Sequence, residues 1–347
     1  MNKVGIITFH WSNNFGAILQ ALSLRSYMKN NFKLDVEFEK FMPHSIIKRE
    51  RMSSIRNKNI KLFYFGLKKN FINYYWKRRV ANLEPPDQNI VKFDKSLYVY
   101  GSDEIWNYSG RVFEYNPYYF GQNNPKPKIS YATSIGSVSN YKFKYIDEIK
   151  KNLKKFVAIS VRDKNSYDFI EYCTKTKPTI VLDPCLLTNI KFLDKTNNKY
   201  NSYKKISFIL VYGTYFSPQE IKEIINIKNN NRCVLVSVGY YNSWCDKNIL
   251  ELTPVDFVFF IKNSKIVFTS MFHGVIFSFK YKKNFWYSKD PYRKNKLSFF
   301  LEYFNLEKRS IDNLSKKEID YKIIQSKYKE IKDISEEFLK KNILENI

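Results

Sequence analysis

Short β-branched runs recur along this chain, each ending in a polar or glycine-bearing turn and each followed by residues at helical spacing. No other feature constrains the fold as tightly. The first run covers residues 4–9; after the loop HWSNNFG, Ile18, Leu22, Leu24 and Met28 fall close to helical spacing. Further runs at 34–38, 97–100, 129–132, 156–161 and 180–182 read as buried strands. A second series starts near residue 200, with strands at 206–212, 234–238 and 266–269 and helices near 218–229, near 254–262 and after Phe272. Strands alternating with helices imply parallel sheets covered by helices. The expected fold is therefore α/β: two Rossmann-like parallel-sheet domains, 1–195 and 196–347, facing a cleft, with the polar, aperiodic stretch KFLDKTNNKYNSYKK as linker. Ligands of such sheets bind at the carboxyl ends of the strands.

Two segments stand outside this alternation. Residues 316–345 place Ile319, Ile323, Ile324, Tyr328, Ile331, Ile334, Phe338 and Leu339 on one face of a closing amphipathic helix, expected to pack over the domains. Residues 40–80 carry twelve Lys or Arg against one acid, Glu50, with aromatics at Phe63, Tyr64, Phe65, Phe71, Tyr74, Tyr75 and Trp76. This helical insertion, about 40–85, has two readings: a basic amphipathic element resting on anionic lipid, or a solvated excursion whose aromatics pack on the first domain.

The net charge of +26 would ordinarily raise nucleic acid as a partner, but only eleven of the 59 basic residues are Arg. A lysine background solvates more than it recognises, and no RNP, zinc-finger or helix-turn-helix pattern accompanies it, so nucleic acid is the weakest partner class. Four Cys without a C-x-x-C pair, and three His in all, argue against a structural zinc and suit reduced thiols. MNKVGIITFH is too short for a signal segment, and no apolar run reaches the ~18 residues of a membrane span. A cytoplasmic protein, at most peripheral at the inner face of the membrane, is expected.

Because His and Gly are scarce, their positions are informative. In VFTSMFHGV a strand ends, Ser270 can cap, and His273 and Gly274 fall in the first turn of a helix, whose free N–H groups and dipole attract anions. His273 can donate to a phosphate or act as an acid there, or simply cap and pack. In ISVRDKNS, Arg162 follows a buried strand, where a forked cation suits a carboxylate or phosphate, or pairs with a surface acid. In LYVYGSDEIWN, Asp103 or Glu104 can deprotonate a sugar hydroxyl and Trp106 can stack on a sugar ring; otherwise Ser102 and Asp103 cap a helix and Trp106 is core.

Taken in order, ITFHWSNNFGAILQAL, VYGSDEIWN, ISYATSIGS, ISVRDKNS, IVLDPCLL, VFTSMFHGVIFSFKYKKNFW and NKLSFFLEYFNLEKR resemble the polysaccharide pyruvyl transferase family over residues 4 to about 309. The resemblance implies a GT-B-like fold with the acceptor on the first domain and the donor on the second. It implies transfer of pyruvate from phosphoenolpyruvate onto two hydroxyls of a sugar as a cyclic ketal, with release of phosphate. No metal or organic cofactor is required by that chemistry. Such enzymes serve capsule, exopolysaccharide, cell-wall or O-antigen assembly, on glycans or lipid-linked precursors. His273, with Gly274, and Arg162 match donor-contacting positions. Arg293 or Lys296 fills a further basic position, and Thr269, Ser270 and Met271 stand where the family often carries an acid. On this reading His273 protonates the donor methylene and Asp103 or Glu104 activates the hydroxyl, with Ser102 and Trp106 on the acceptor side. His10, Asn13 and Asn14 serve either acceptor binding or loop architecture. The competing readings are a glycosyltransferase using a nucleotide sugar, and a degenerate glycan-binding protein.

Overall fold

The computed structural model describes residues 3–55, 60–87, 92–108, 114–190, 198–289, 294–314 and 318–347. The first sheet contains β1 (Lys3–Ile7), β2 (Asp35–Phe38), β3 (Leu97–Asp103), β4 (Lys128–Thr133), β5 (Ala158–Val161) and β6 (Thr179–Ile180). They lie in the order β2-β1-β3-β4-β5-β6, all parallel. Between them run α1 (Phe15–Phe32), the paired α2 (His44–Ile55) and α3 (Ile60–Arg79), α4 (Ile146–Leu153) and α5 (Lys164–Thr174), and α6 (Pro184–Leu187) follows β6. Every residue of β3 is buried, as a central strand covered on both faces requires.

The second sheet, in the order β11-β10-β7-β8-β9, is parallel as well. In chain order it runs β7 (Phe208–Tyr212), α7 (Pro218–Asn231), β8 (Val234–Val238), β9 (Lys247–Ile249), α8 (Pro254–Asn263), β10 (Ile266–Thr269), α9 (Phe272–Lys280) and β11 (Asn284–Tyr287). Helices α10 (Lys294–Tyr303) and α11 (Tyr321–Leu344) follow. The helix starts are written in the sequence. Ser217 with Glu220 and Thr253 with Asp256 form capping boxes, each with proline at the first helical position, so that orphan N–H groups are satisfied locally.

The sequence reading did not include β9 or β11: β9 is a three-residue edge strand, KNI, too short to show a period, and β11 is the aromatic NFWY. The expected domain boundary, at 195/196, lies outside the described residues. Sequence order groups α11 with the second half, where the Tyr321 hydroxyl donates to the Lys283 carbonyl at 2.7 Å and Tyr328 packs near Phe279, but it also reaches the first. Ser335 Oγ accepts from the Leu182 N–H at 2.9 Å, the Tyr328 hydroxyl donates to the Leu186 carbonyl at 2.6 Å, and Phe338 packs near Tyr131. Ile331, Phe338, Leu339 and Ile343 are buried there. At roughly 1.5–3 kcal/mol for each large apolar side chain buried, this return helix contributes substantially to holding the two halves as one molecule.

Candidate active site

Three strands of the first sheet deliver one charged group each to a common point. Arg162 stands at the carboxyl end of β5, just before Asp163, whose side chain caps α5. Asp103 ends β3, and Asp183, three residues beyond the end of β6 at Ile180, caps α6 by accepting from the Cys185 N–H. The guanidinium bridges them: Nη1 donates to Asp183 Oδ2 at 2.9 Å and Nη2 to Asp103 Oδ1 at 3.0 Å. Only 2% of the Arg162 side chain is exposed. Burial works against its charge, but the two aspartates outweigh that cost and raise its pKa further.

The second domain meets this group through the first turn of α9. Phe272 lies under the Arg162 guanidinium, 4.4 Å from carbon to ring centroid. His273 Nε2 is 3.5 Å from Asp183 Oδ2, within ion-pair reach and long for a formed hydrogen bond. Asp183 is thus shared by Arg162 of one domain and His273 of the other. Burial alone would raise its pKa, yet His273 and Arg162 hold it well below the ordinary carboxylate range. Among the described residues, Arg162 Nε and His273 Nε2 are buried nitrogens with no hydrogen-bond partner. Such groups are uncommon in a finished core.

Two glycines make close packing possible here, Gly16 between the domains and Gly274 within the second. Gly16, in the first turn of α1, lies so close to His273 that a Cβ there would overlap the imidazole ring. Gly274 packs on Thr269, and a Cβ would overlap the threonine hydroxyl. Thr269 donates to the Tyr212 carbonyl at 2.7 Å and accepts from the Met271 N–H at 3.0 Å, so it shapes the turn into α9. The N-terminus of α1 is capped by Asn14, whereas Met271 at the start of α9 provides no side-chain cap. The Ser270 cap expected from sequence is not used there; its hydroxyl accepts from the Tyr215 N–H at 3.3 Å. Two helix N-termini therefore meet beside the Arg162–Asp183–His273 group, and the one bearing His273 lacks a side-chain cap.

Of the residues assigned from sequence, Arg162, His273, Gly274 and Asp103 are brought together. Glu104 is half-buried nearby, its Oε2 accepting from the Asn107 amide at 2.9 Å. Trp106 does not reach a ligand surface: it is 0% exposed, donates Nε1–H to the Tyr119 carbonyl at 2.8 Å and stacks on Phe120. Ser102 is equally interior, its hydroxyl donating to Gln20, which in turn donates to Thr8. His10 is buried against Phe38, with Nδ1 3.3 Å from the Thr8 carbonyl. Burial, aided by Lys77 and Arg25 and only partly offset by that carbonyl, pushes its pKa down to about 4. Asn14 caps α1, and Asn13 donates to Asn70 Oδ1 at 3.1 Å and accepts from Lys77 Nζ at 2.8 Å. The architectural reading of His10, Asn13 and Asn14 is therefore the one their contacts fit. Arg293 lies outside the described residues, as does the side chain of Lys296. Asp183 was missed as a site residue, although Asp before Pro after a buried strand is a recognisable helix-start signal.

The insertion crosses the mouth of the cleft. Lys77 in α3 donates to the Trp11 carbonyl at 2.7 Å, while Lys69 donates to the Gly239 carbonyl at 2.9 Å, at the end of β8 in the other domain. Asp183, Cys185 and His273 bring potential metal-ligand atoms within 4.8 Å of one another. A cation is nonetheless poorly suited to that place, since the Arg162 guanidinium already occupies Asp183 and burial with the Asp183 charge pushes the Cys185 thiol well up.

Two parallel-sheet domains facing each other at their strand ends, with the last helix crossing back, define a GT-B-like α/β protein. Solved structures agree at the level of fold. An S. aureus MnaA–UDP complex matches at 14% identity with a TM-score of 0.53, covering 90% of this chain and 86% of that one. A putative UDP-N-acetylglucosamine 2-epimerase from Listeria monocytogenes matches at 11% and 0.51, covering 95% and 90%. The UDP-GlcNAc-bound 2-epimerase from Neisseria meningitidis matches at 9% and 0.51, covering 100% of both chains. No curated protein matches the sequence. The family model for polysaccharide pyruvyl transferase matches residues 14–287, and the chain belongs to that family.

Proposed function

We propose that this protein transfers pyruvate from phosphoenolpyruvate to two hydroxyls of a sugar in a glycan or glycan precursor, forming a cyclic ketal and releasing phosphate. The observation that carries the reading is the sharing of Asp183 between Arg162 and His273, each with a buried nitrogen that makes no formed hydrogen bond. A small ligand with a carboxylate and a phosphate on one carbon matches two such donors set beside an uncapped helix N-terminus. Helix α10, whose first turn carries Lys296, packs against α5, which starts just after Arg162; Lys296 or Arg293 supplies the further cation.

In the mechanism this suggests, His273 as imidazolium protonates the donor's methylene carbon, and its Asp183 partner holds the ring and its charge. Positive charge develops at the central carbon. Asp103, the more exposed of the two carboxylates on Arg162, takes the proton of the first hydroxyl as its oxygen attacks that carbon. The carbon–oxygen bond to phosphate breaks, phosphate leaves with the proton held by Asp103, and the second hydroxyl closes the ketal as its proton returns to His273.

The test incubates the purified protein with phosphoenolpyruvate and a panel of sugar acceptors, following phosphate release. Release dependent on acceptor, and abolished in Arg162→Lys, supports the reading: lysine keeps the charge but cannot bridge both aspartates. Turnover of a nucleotide sugar without phosphoenolpyruvate would replace it with glycosyl transfer.

A further inference from the structure

Helix α3 buries two polar side chains beside Trp76 and leaves an apolar stripe facing outward. Its inward face, against the β1–α1 loop and the second domain, carries Lys69, Asn73, Trp76 and Lys77, the last three buried. Its outward face carries Ile60 (81% exposed), Tyr64 (55%), Leu67 (45%), Phe71 (71%) and Tyr75 (57%). At 3.6 residues per turn these five fall in one arc of about 80°, a stripe about 22 Å long. A surface helix ordinarily puts such residues toward the core and lysines toward water. Here only Trp76 reaches the core while Lys77 is buried and five large apolar residues stay exposed, so the apolar stripe is suited to being covered by something outside the chain.

We propose that this face of α3 docks on an anionic lipid bilayer, lying in the interface plane with the stripe among the headgroups and acyl chains. Charge decides the occupant. Residues 40–80 hold twelve Lys or Arg against one acid, and Lys68, Arg78 and Arg79 flank or extend the stripe on exposed positions. A second copy seated on the same face would bring two cationic hairpins together, whereas anionic headgroups complement the charge. Among the described residues no helix is long and apolar enough to cross a membrane, so α3 lies on the bilayer without spanning it. Because the inward face of α3 bridges the two domains at the cleft, docking sets the cleft mouth at the membrane surface. The inference rests on the exposed face of α3 and is independent of the donor proposed above.

The experiment floats the full chain with vesicles of phosphatidylcholine alone or of equimolar phosphatidylcholine and phosphatidylglycerol, at low and high salt. Retention on the anionic vesicles only, weakened by salt and reduced about tenfold in the Leu67→Ser/Phe71→Ser/Tyr75→Ser variant, is expected. Phe71→Trp should retain binding, and circular dichroism checks that the triple variant is folded. The proposal is overturned if the wild type does not float with anionic vesicles or if the folded triple variant floats equally well. A dimer lost in the triple variant, with no vesicle retention in either, would assign the stripe to a second copy instead.

Discussion

Gly16 at the start of α1 and His273 at the start of α9 come from different domains and touch so closely that residue 16 has no room for a Cβ. The first turn of one helix thereby forms a wall of the histidine's pocket. Replacing Gly16 with Ala forces the imidazole, α1 or the domain spacing to shift. Overpacking of this kind costs about 1–3 kcal/mol. The Gly16→Ala protein is expected to fold with a lowered melting temperature and to lose most of its turnover. A variant with wild-type turnover would show that the His273 ring position is not critical.

Asp183 is the shared anion, and its removal leaves Arg162 with one buried partner. Asp183→Asn is expected to cost about 3–5 kcal/mol of stability by denaturant titration. In molecules that remain folded, turnover should fall about 10²- to 10⁴-fold. The sign of its pH effect follows from its depressed pKa. The stability contributed is complete above the ordinary aspartate value of about 4 and is lost as pH falls toward the depressed one. The variant should therefore lack that acid limb.

His10 predicts a separate acid effect in a different window. Its folded-state pKa of about 4 lies below the ordinary 6.5, so the unfolded chain binds a proton between those values that the folded chain refuses. Stability should therefore fall as pH drops from 6.5 to about 4, by about 3 kcal/mol in all. His10→Gln, which keeps a donor and cannot titrate, should flatten unfolding midpoints across that window.

Trp106 should matter to stability and not to the acceptor. Trp106→Phe leaves the Tyr119 carbonyl without its donor, at a cost of about 1–3 kcal/mol. The acceptor KM should stay at the wild-type value. A raised KM with unchanged stability would return the indole to the acceptor site.

These residues also mark how far the sequence could be read. Strands such as β8 and β10 were legible to the residue because continuous buried runs leave an apolar signature. Arg162 and His273 were legible because rare residue types fell directly after such runs. Asp183 was not singled out, since its partners lie 21 and 90 residues away in sequence and no local pattern encodes that meeting. Trp106 was ambiguous because a strand end carries side chains to both the cleft and the core, and the sequence does not say which way an indole turns. In α3 the aromatic spacing was visible, but its orientation depends on Lys69 and Lys77 finding carbonyls elsewhere in the fold.

The most direct test of the donor and its chemistry follows an isotope label at the central carbon of phosphoenolpyruvate by carbon NMR, with an acceptor sugar and the protein. The account predicts that the label moves to a carbon bearing two sugar oxygens, in step with phosphate release, and that Arg162→Ala and His273→Ala abolish the new signal. A label that stays in phosphoenolpyruvate or appears as free pyruvate, across the acceptor panel and while a nucleotide sugar is consumed, would contradict it.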